Sequence, residues 1–245
     1  MKDLIVAVKQ HKADIGVAFD GDADRLGVVT PKGKMIYPDR QIMLFAKHVL
    51  KNHPGGKVVF DVKCSKYLAN VIREAGGEPI LYKTGHSLLK AKLFESGAVL
   101  AGEMSGHIFF RDVWYGFDDG IYSAARLLQI LAADGRDADS VFDELPDSVS
   151  TPELMVAVPD ERKFDLCDEL QRDADFPGAN VITIDGLRVE FTDGWGLIRA
   201  SNTTPMLTMR YEADTLEALW RIQVLMRDYL LEHEPGLDVP MYTGE

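Results

Sequence analysis

Three aspartates and an arginine are packed into Asp20-Gly21-Asp22-Ala23-Asp24-Arg25, directly behind the apolar run Ile15-Gly16-Val17-Ala18-Phe19. Alternate residues on extended backbone point the same way, so the spacing predicts that Asp20, Asp22 and Asp24 converge. Converging carboxylates repel unless a cation lies between them, and hard oxygen donors suit Mg²⁺ or Ca²⁺. Gly21 and Ala23 leave room for the loop to curl round the ion. Arg25 beside it points to a second anion, and so to phosphate chemistry. A solvated turn is the bland alternative, weakened by the number of aspartates and by the apolar run before them. An EF-hand also opens D-x-D-x-D, but its sixth and twelfth positions need Gly and Glu where this chain has Arg25 and Pro31. A haloacid-dehalogenase-like phosphatase, with Asp20 as nucleophile, is the stronger rival, although Asp24 stands where that pattern favours Thr or Val.

Further polar residues follow apolar runs. Gly102-Glu103-Met104-Ser105-Gly106-His107 closes one run, Lys83-Thr84-Gly85-His86-Ser87 another, and Asp61-Val62-Lys63 a third. Ligands of α/β sheets bind beyond the carboxyl ends of strands. Glu103 and Ser105 can bond sugar hydroxyls there, and His107 can exchange a proton near neutral pH. Each motif alone reads equally well as a turn or a cap; their succession at strand ends argues for a site. Arg199-Ala200-Ser201-Asn202-Thr203-Thr204-Pro205, with Arg210 beyond it, is rich in donors without being acidic. Arginine binds phosphate bidentately, and hydroxyl and amide donors serve the remaining oxygens. The bland alternative is a surface turn between strands. Trp195 between Gly194 and Gly196 reads as a packing residue, and Asp118-Asp119 as a helix N-terminus rather than a second metal site.

The elements that must position these residues alternate up to about residue 145. Strand-like runs span 15–19, 26–30, 57–62, 78–82 and 98–102. Ile42, Phe45, Ala46, Val49 and Leu50 have the spacing of a helix with one buried face, as do Leu68, Val71 and Ile72, and Ile121, Ala124, Ala125, Leu128 and Leu131. Such alternation predicts βαβ units and a largely parallel sheet. Pro146–Pro152 reads as a linker. Beyond it come a strand near 153–158, a helix near 161–173, strands near 181–184, 187–191, 197–201 and 206–212, and a last helix. Asp214, with Glu217 three residues on, is its expected cap. Its expected buried face is Leu219, Ile222, Met226, Tyr229 and Leu230. The fold class is thus α/β followed by an α+β module with a mostly antiparallel sheet.

The 245 residues carry 27 Lys and Arg against 39 Asp and Glu, a formal charge of −12. That field argues against nucleic acid or an anionic membrane as partner, and requires any phosphorylated substrate to meet a locally basic cleft. No apolar run is long enough to span a bilayer. The apolar core of Met1–Lys9 is too short for a secretion signal. Two cysteines, Cys64 and Cys167, form no metal motif and fit a reducing cytoplasm.

Together and in this order, Asp20–Arg25, Gly102–His107 and Arg199–Pro205 resemble the motifs of the α-D-phosphohexomutases, with Lys83–His86 and Tyr37-Pro38-Asp39-Arg40 adding to the match. The resemblance implies a mixed-sheet α/β domain followed by a smaller α+β domain. It implies that residues 1–34 are the end of a second domain with the metal loop, 35–146 a third, sugar-binding domain, and 147–245 a fourth, phosphate-binding one. Asp20, Asp22 and Asp24 would be Mg²⁺ ligands, and Arg25 would lie beside a phosphoserine. Glu103 and Ser105 would read sugar hydroxyls, with His107 near. Arg199, Ser201, Asn202 and Thr203 would clamp the spectator phosphate, and Lys63, Thr84, Gly85, His86 and Arg210 would line the cleft. Arg25, Lys63, His86 and His107 are the expected catalytic groups. The implied activity interconverts hexose 1-phosphate and hexose 6-phosphate, mannose or glucose, through a phosphoserine and a hexose 1,6-bisphosphate. That family's T-[AG]-S-H-N-type serine loop does not occur in this sequence, so the chain reads as a C-terminal fragment whose partner is the rest of the enzyme. The whole enzyme is expected to be a cytoplasmic monomer, and the linker a hinge. A non-catalytic sugar-phosphate-binding protein is the other alternative.

Overall fold

Val58 and Phe60 pack into one apolar cluster and Val59 into another, so the strand that carries them is buried on both faces. That strand is the centre of the first of two units into which the chain divides, residues 1–146. The computed structural model describes residues 1–244. The first unit contains α1 (Lys2–His11), β1 (Gly16–Phe19), β2 (Leu26–Val29), β3 (Met35–Ile36), α2 (Pro38–Asn52), β4 (Lys57–Asp61), α3 (Lys66–Glu74), β5 (Glu78–Tyr82), α4 (His86–Ser96), β6 (Leu100–Gly102), β7 (Ile108–Phe110), α5 (Gly120–Asp134) and α6 (Ala138–Asp143).

Its main sheet runs β5-β4-β6-β7, with β4 parallel to both β5 and β6 and β7 antiparallel at the edge. One face packs against buried residues of α2, α3 and α5, the other against Leu89 and Leu93 of α4. Helix α2 lies so close that a Cβ on Gly102 would meet Ile42 at 2.4 Å. The mixed sheet agrees with the fold class. The first two expected strands do not join the parallel set: β1 and β2 form an antiparallel hairpin, and β3 completes a separate three-stranded sheet. Only six residues separate β1 from β2, too few for a parallel crossover. Helix α1, formed by the opening residues, packs on this hairpin through Val8.

The second unit begins at Asp147 and contains β8 (Val149–Ser150), β9 (Leu154–Ala157), α7 (Asp160–Arg172), β10 (Asn180–Ile182), β11 (Leu187–Phe191), β12 (Gly194–Ala200), β13 (Met206–Ala213) and α8 (Leu216–His233). All its strand pairs are antiparallel, in the order β10-β11-β12-β13, with β8 and β9 both on β13. Leu166 and Leu170 of α7 and Leu219, Ile222, Met226 and Leu230 of α8 fill its core; Tyr229 packs at the border of that cluster.

Two expectations need correction. The linker stretch is in part a strand: β8 pairs with β13, and Thr151 is buried, its N–H bonded to Tyr211 O and its Oγ1 accepting Tyr211 N–H at 3.1 Å. Any hinge therefore ends before Val149. The cap of α8 is Thr215, whose hydroxyl accepts the Ala218 N–H at 3.1 Å, not Asp214. Among the described residues, no helix is long and apolar enough to cross a membrane.

Candidate functional site

Asp20, Asp22 and Asp24 bring one carboxylate oxygen each to within 4.8 Å of the others. They converge through a turn rather than by strand alternation. Strand β1 ends at Phe19, and Ala23 adopts φ 59°, where a small side chain minimises the strain of left-handed backbone. Arg25 donates its backbone N–H and its Nε to Asp20. Burial pushes the Asp20 carboxyl up, but the hydrogen bonds and charge of Arg25 outweigh it and hold it below its ordinary value. The Asp24 Oδ1 is sealed from solvent and has no hydrogen-bond partner, with Arg25 Nε 3.7 Å away as an ion-pair contact. A buried carboxylate oxygen without a donor is costly, and a divalent cation would relieve it. Oxygen-only donors in a tight turn fit Mg²⁺.

The remaining groups of this unit stand in loops at the carboxyl ends of β4, β5 and β6. Asp61, at the end of β4, is wholly buried and accepts from Cys64 Sγ at 3.0 Å, Thr84 Oγ1 at 3.2 Å and the Met104 N–H at 3.3 Å. One carboxylate thus joins the loops after β4, β5 and β6. Burial raises its pKa, against the pull of Lys63. Lys63 is buried at the end of the same turn.

Glu103 is a second tie. Its Oε1 accepts the Gly85 N–H at 2.7 Å; its Oε2 accepts the Ser105 hydroxyl at 2.7 Å and lies 3.0 Å from His107 Nδ1. The loop after β5 is shaped for this by Gly85 at φ 137°. A carboxylate has about four acceptor positions. Three are used here, so Glu103 can accept little more than one hydroxyl from a ligand. Burial pushes Glu103 up, but His107, Ser105 and the charge of Lys63 pull it down to about 2. Burial likewise lowers His107, and the bond to Glu103 with the charges of Glu103, Asp24 and Asp118 reverses this into a raised pKa. His86, the first residue of α4, stacks on His107 with ring centres 5.2 Å apart. His107 Nε2 lies 3.2 Å from Asp24 Oδ2, which joins the sugar-type loop to the metal-type loop. A backbone bridge between Arg25 and His107 holds the two together.

In the second unit the turn between β12 and β13 carries Ser201, Asn202 and Thr203. The Ser201 hydroxyl accepts from Thr203 N at 3.3 Å, Thr204 N at 3.2 Å and Thr204 Oγ1 at 2.8 Å, while Asn202, Thr203 and Thr204 are exposed. Lys163 supports the turn from α7 through the Thr204 carbonyl at 2.8 Å. Arg199, buried at the end of β12, gives its Nε to Asp185 at 3.2 Å. Gly186 makes that approach possible, since a Cβ there would lie 2.6 Å from Arg199 Cβ. Arg210 is not at the turn: it sits further along β13, opposite Leu197, with its guanidinium 5.8 Å from the Trp195 ring.

Asp20, Asp22, Asp24, Arg25, Lys63, Thr84, Gly85, His86, Glu103, Ser105 and His107 therefore lie in the linked loops of one unit, and Arg199, Ser201, Asn202 and Thr203 at one turn of the other. Asp185 escapes a reading of the sequence as a site residue, and Asp61 is noticed there only as part of the Asp61-Val62-Lys63 strand end, without a role. The only signal for Asp61 is its place at a strand end before Lys63; Asp185 shows none beyond the Asp-Gly turn.

An α/β unit with polar loops at its strand ends, followed by an antiparallel α+β unit with a donor-rich turn, is the architecture of a phosphohexomutase-type protein. Three family models match: phosphoglucomutase/phosphomannomutase alpha/beta/alpha domain II over residues 1–33, domain III over 37–149, and the C-terminal domain over 153–228. A phosphomannomutase/phosphoglucomutase of Pseudomonas aeruginosa is 55% identical over 240 residues, covering 98% of this chain and 52% of that protein. A phosphoglucomutase of Neisseria meningitidis is 56% identical over 243 residues, with the same coverage of 98% and 52%. A solved phosphoglucomutase/phosphomannomutase family protein from Burkholderia thailandensis superposes with a TM-score of 0.92 at 55% identity, over 98% of this chain and 51% of that one. The chain belongs to the phosphoglucomutase/phosphomannomutase family, and it spans about half the length of the curated relatives it matches.

Proposed function

We propose that this chain carries the metal, sugar and phosphate sites of an enzyme that interconverts hexose 1-phosphate and hexose 6-phosphate, and that the serine nucleophile comes from residues outside it. The observation that carries the reading is the coupling of the Asp20/Asp22/Asp24 turn to the Glu103–His107 loop through the His107–Asp24 contact. Family membership sets the dehalogenase-like alternative aside.

In this reading Asp20, Asp22 and Asp24 would hold Mg²⁺, whose charge would stabilise a phosphoryl group in transit. Transfer breaks the phosphorus–oxygen bond to serine and forms one to a sugar hydroxyl, whose proton passes to a nearby base. The hexose 1,6-bisphosphate then returns its other phosphate to serine. Arg25 and His107 touch the metal turn, His86 stacks on His107, and the charge of Lys63 acts on Glu103; these are the groups that would assist. The raised pKa of His107 suits it to donating a proton near neutral pH. Glu103 and Ser105 read one sugar hydroxyl between them, which tolerates glucose and mannose alike because neither needs C2. Arg199 and the Ser201–Thr203 turn grip the spectator phosphate with charge and N–H donors. Arg210, packed on Trp195, supports that sheet from within. The segments 1–34, 35–146 and 147–245 are proposed as the end of the second domain, the third and the fourth, within a cytoplasmic, monomeric whole enzyme.

Calorimetric titration of the chain with glucose 1-phosphate, with and without Mg²⁺, tests the half-sites. Saturable binding that Arg199→Ala weakens is expected. Binding unchanged by Arg199→Ala would remove the β12–β13 turn from the phosphate site.

A further inference from the structure

Strand β4 lies between β5 and β6, so its last residue stands between the two loops that follow them. In register, Asp61 pairs with Tyr82, the end of β5, and Phe60 with Gly102, the end of β6. Each neighbouring strand therefore runs into its loop beside Asp61. Both oxygens of this wholly buried carboxylate are used. Oδ1 accepts the Met104 N–H at 3.3 Å and Cys64 Sγ at 3.0 Å, and Oδ2 accepts the Thr84 hydroxyl at 3.2 Å.

Two of these bonds fall one residue from the ends of another. The Gly85 N–H donates to Glu103 Oε1 at 2.7 Å. Thr84 precedes Gly85, and Met104 follows Glu103. Asp61 thus holds the chain on both sides of the Gly85–Glu103 bond. That bond, with the Ser105 hydroxyl at 2.7 Å, decides where the Glu103 carboxylate points. Burying a carboxylate is costly, and an apolar side chain of the same shape would fill the strand end as well. What the ionised carboxylate adds is two acceptor oxygens and no competing donor. Sealed from solvent, Asp61 meets no ligand itself.

We infer that Asp61 is a positioning residue: by fixing the loops after β5 and β6 against each other it aims Glu103, and so sets how strictly the site selects among sugar hydroxyls. The inference deepens, and rests on, the proposed reading of Glu103 and Ser105 as hydroxyl contacts. Asp61→Leu keeps the branched skeleton and removes every acceptor. Asp61→Asn is the conservative change. Its oxygen can keep Met104 N–H and Cys64 Sγ while its Nδ2 donates to Thr84 Oγ1, because a hydroxyl both donates and accepts.

The test is calorimetric titration of the chain with glucose 1-phosphate and with each of its deoxy analogues. The parent should prefer the sugar that keeps the contacted hydroxyl by about 10–100-fold, the range for a hydrogen bond to a charged group. Asp61→Leu should narrow that preference by about tenfold and leave the affinity for inorganic phosphate unchanged, and Asp61→Asn should restore the preference. Without ligand, proton–nitrogen spectra follow the Gly85 amide. It should move in Asp61→Leu towards its position in Glu103→Gln, and stay in place in Asp61→Asn. Full preference in folded Asp61→Leu, with preference lost in Glu103→Gln, overturns the inference and spares the hydroxyl reading. A parent without preference removes that reading; the Gly85 amide then decides the positioning alone, and an amide unmoved by Asp61→Leu ends it. Should Asp61→Leu not fold, Asp61→Ser, which keeps a single acceptor oxygen, is held to the same outcomes.

Discussion

Arg199 is held by an acidic partner before any ligand arrives. Its Nε and one terminal nitrogen face Asp185, at 3.2 and 3.5 Å, which leaves part of its five-donor fork for a phosphate. Replacing it with alanine is predicted to weaken hexose-phosphate binding by about 1.5–3 kcal/mol, the range for a charged hydrogen bond. Arg199→Lys, which keeps charge but loses the fork, should fall between; calorimetry on the three proteins checks the order. Glu103 makes a prediction in pH. Its carboxyl lies at about 2 in the folded chain against an ordinary 4.5. A depressed carboxyl contributes stability above its unfolded value and loses it as pH falls through the folded one. In metal-free buffer, then, Glu103→Gln should melt below the parent from pH 5 towards neutrality, where His107 is still charged, and the gap should close between pH 4.5 and about 2. A gap that stays constant with pH would mean that His107 and Ser105 do not favour the charged form. The sequence placed both residues at strand ends but could not show Asp185 or the third bond on Glu103, because both arise from register between loops far apart in the chain.

At the level of elements, the helices and strands were legible because their apolar spacing is regular. Val58, Val59 and Phe60 alternate between two clusters as a central strand must, and Leu219, Ile222, Met226 and Leu230 recur at helical spacing. What spacing could not show was pairing. The β1–β2 hairpin looks like two more members of an alternating series until the shortness of its connection is weighed. The cap of α8 was off by one residue because Thr215 and Asp214 are both good caps and only backbone geometry separates them. Helix α5 does more than cover the sheet. Its first residue, Gly120, donates to Ala23 O, and an added Cβ would lie 2.7 Å from Arg25 O and 2.8 Å from Ala23 O. Gly120→Ala must push the helix off the metal turn, at a cost of about 1–3 kcal/mol typical of overpacking. Thermal melting and Mg²⁺ titration should both report the damage. A variant with unaltered melting and Mg²⁺ affinity would show that α5 does not buttress the turn.

The whole chain is two units with separate cores, one carrying the metal and sugar loops and the other the phosphate turn. Neither carries the T-[AG]-S-H-N-type serine loop on which the proposed reaction depends, and its absence is legible in the sequence because such a loop has a strong local signature while a general base has none. The chain alone is therefore predicted to show no mutase turnover on glucose 1-phosphate. Adding the portion of the Pseudomonas aeruginosa relative that this chain does not cover should restore it in trans, that relative being 55% identical to the chain over the 240 residues matched. Asp22→Asn and Arg199→Ala should each lower the restored kcat/KM at least about tenfold, one through each unit. Turnover by the unaided chain would mean that a nucleophile lies within it. A mixture that forms a complex and binds hexose phosphate without turnover would instead favour a sugar-phosphate-binding protein. The charge of −12 makes the salt dependence of that restored activity informative as well. A dianionic substrate is repelled by the net charge of the chain and would be drawn by Arg199 and the donors around it in one unit and by Arg25 and Lys63 in the other. Raising ionic strength screens the long-range repulsion more than the short, partly buried contacts, so KM should change less than for a site dependent on exposed lysines.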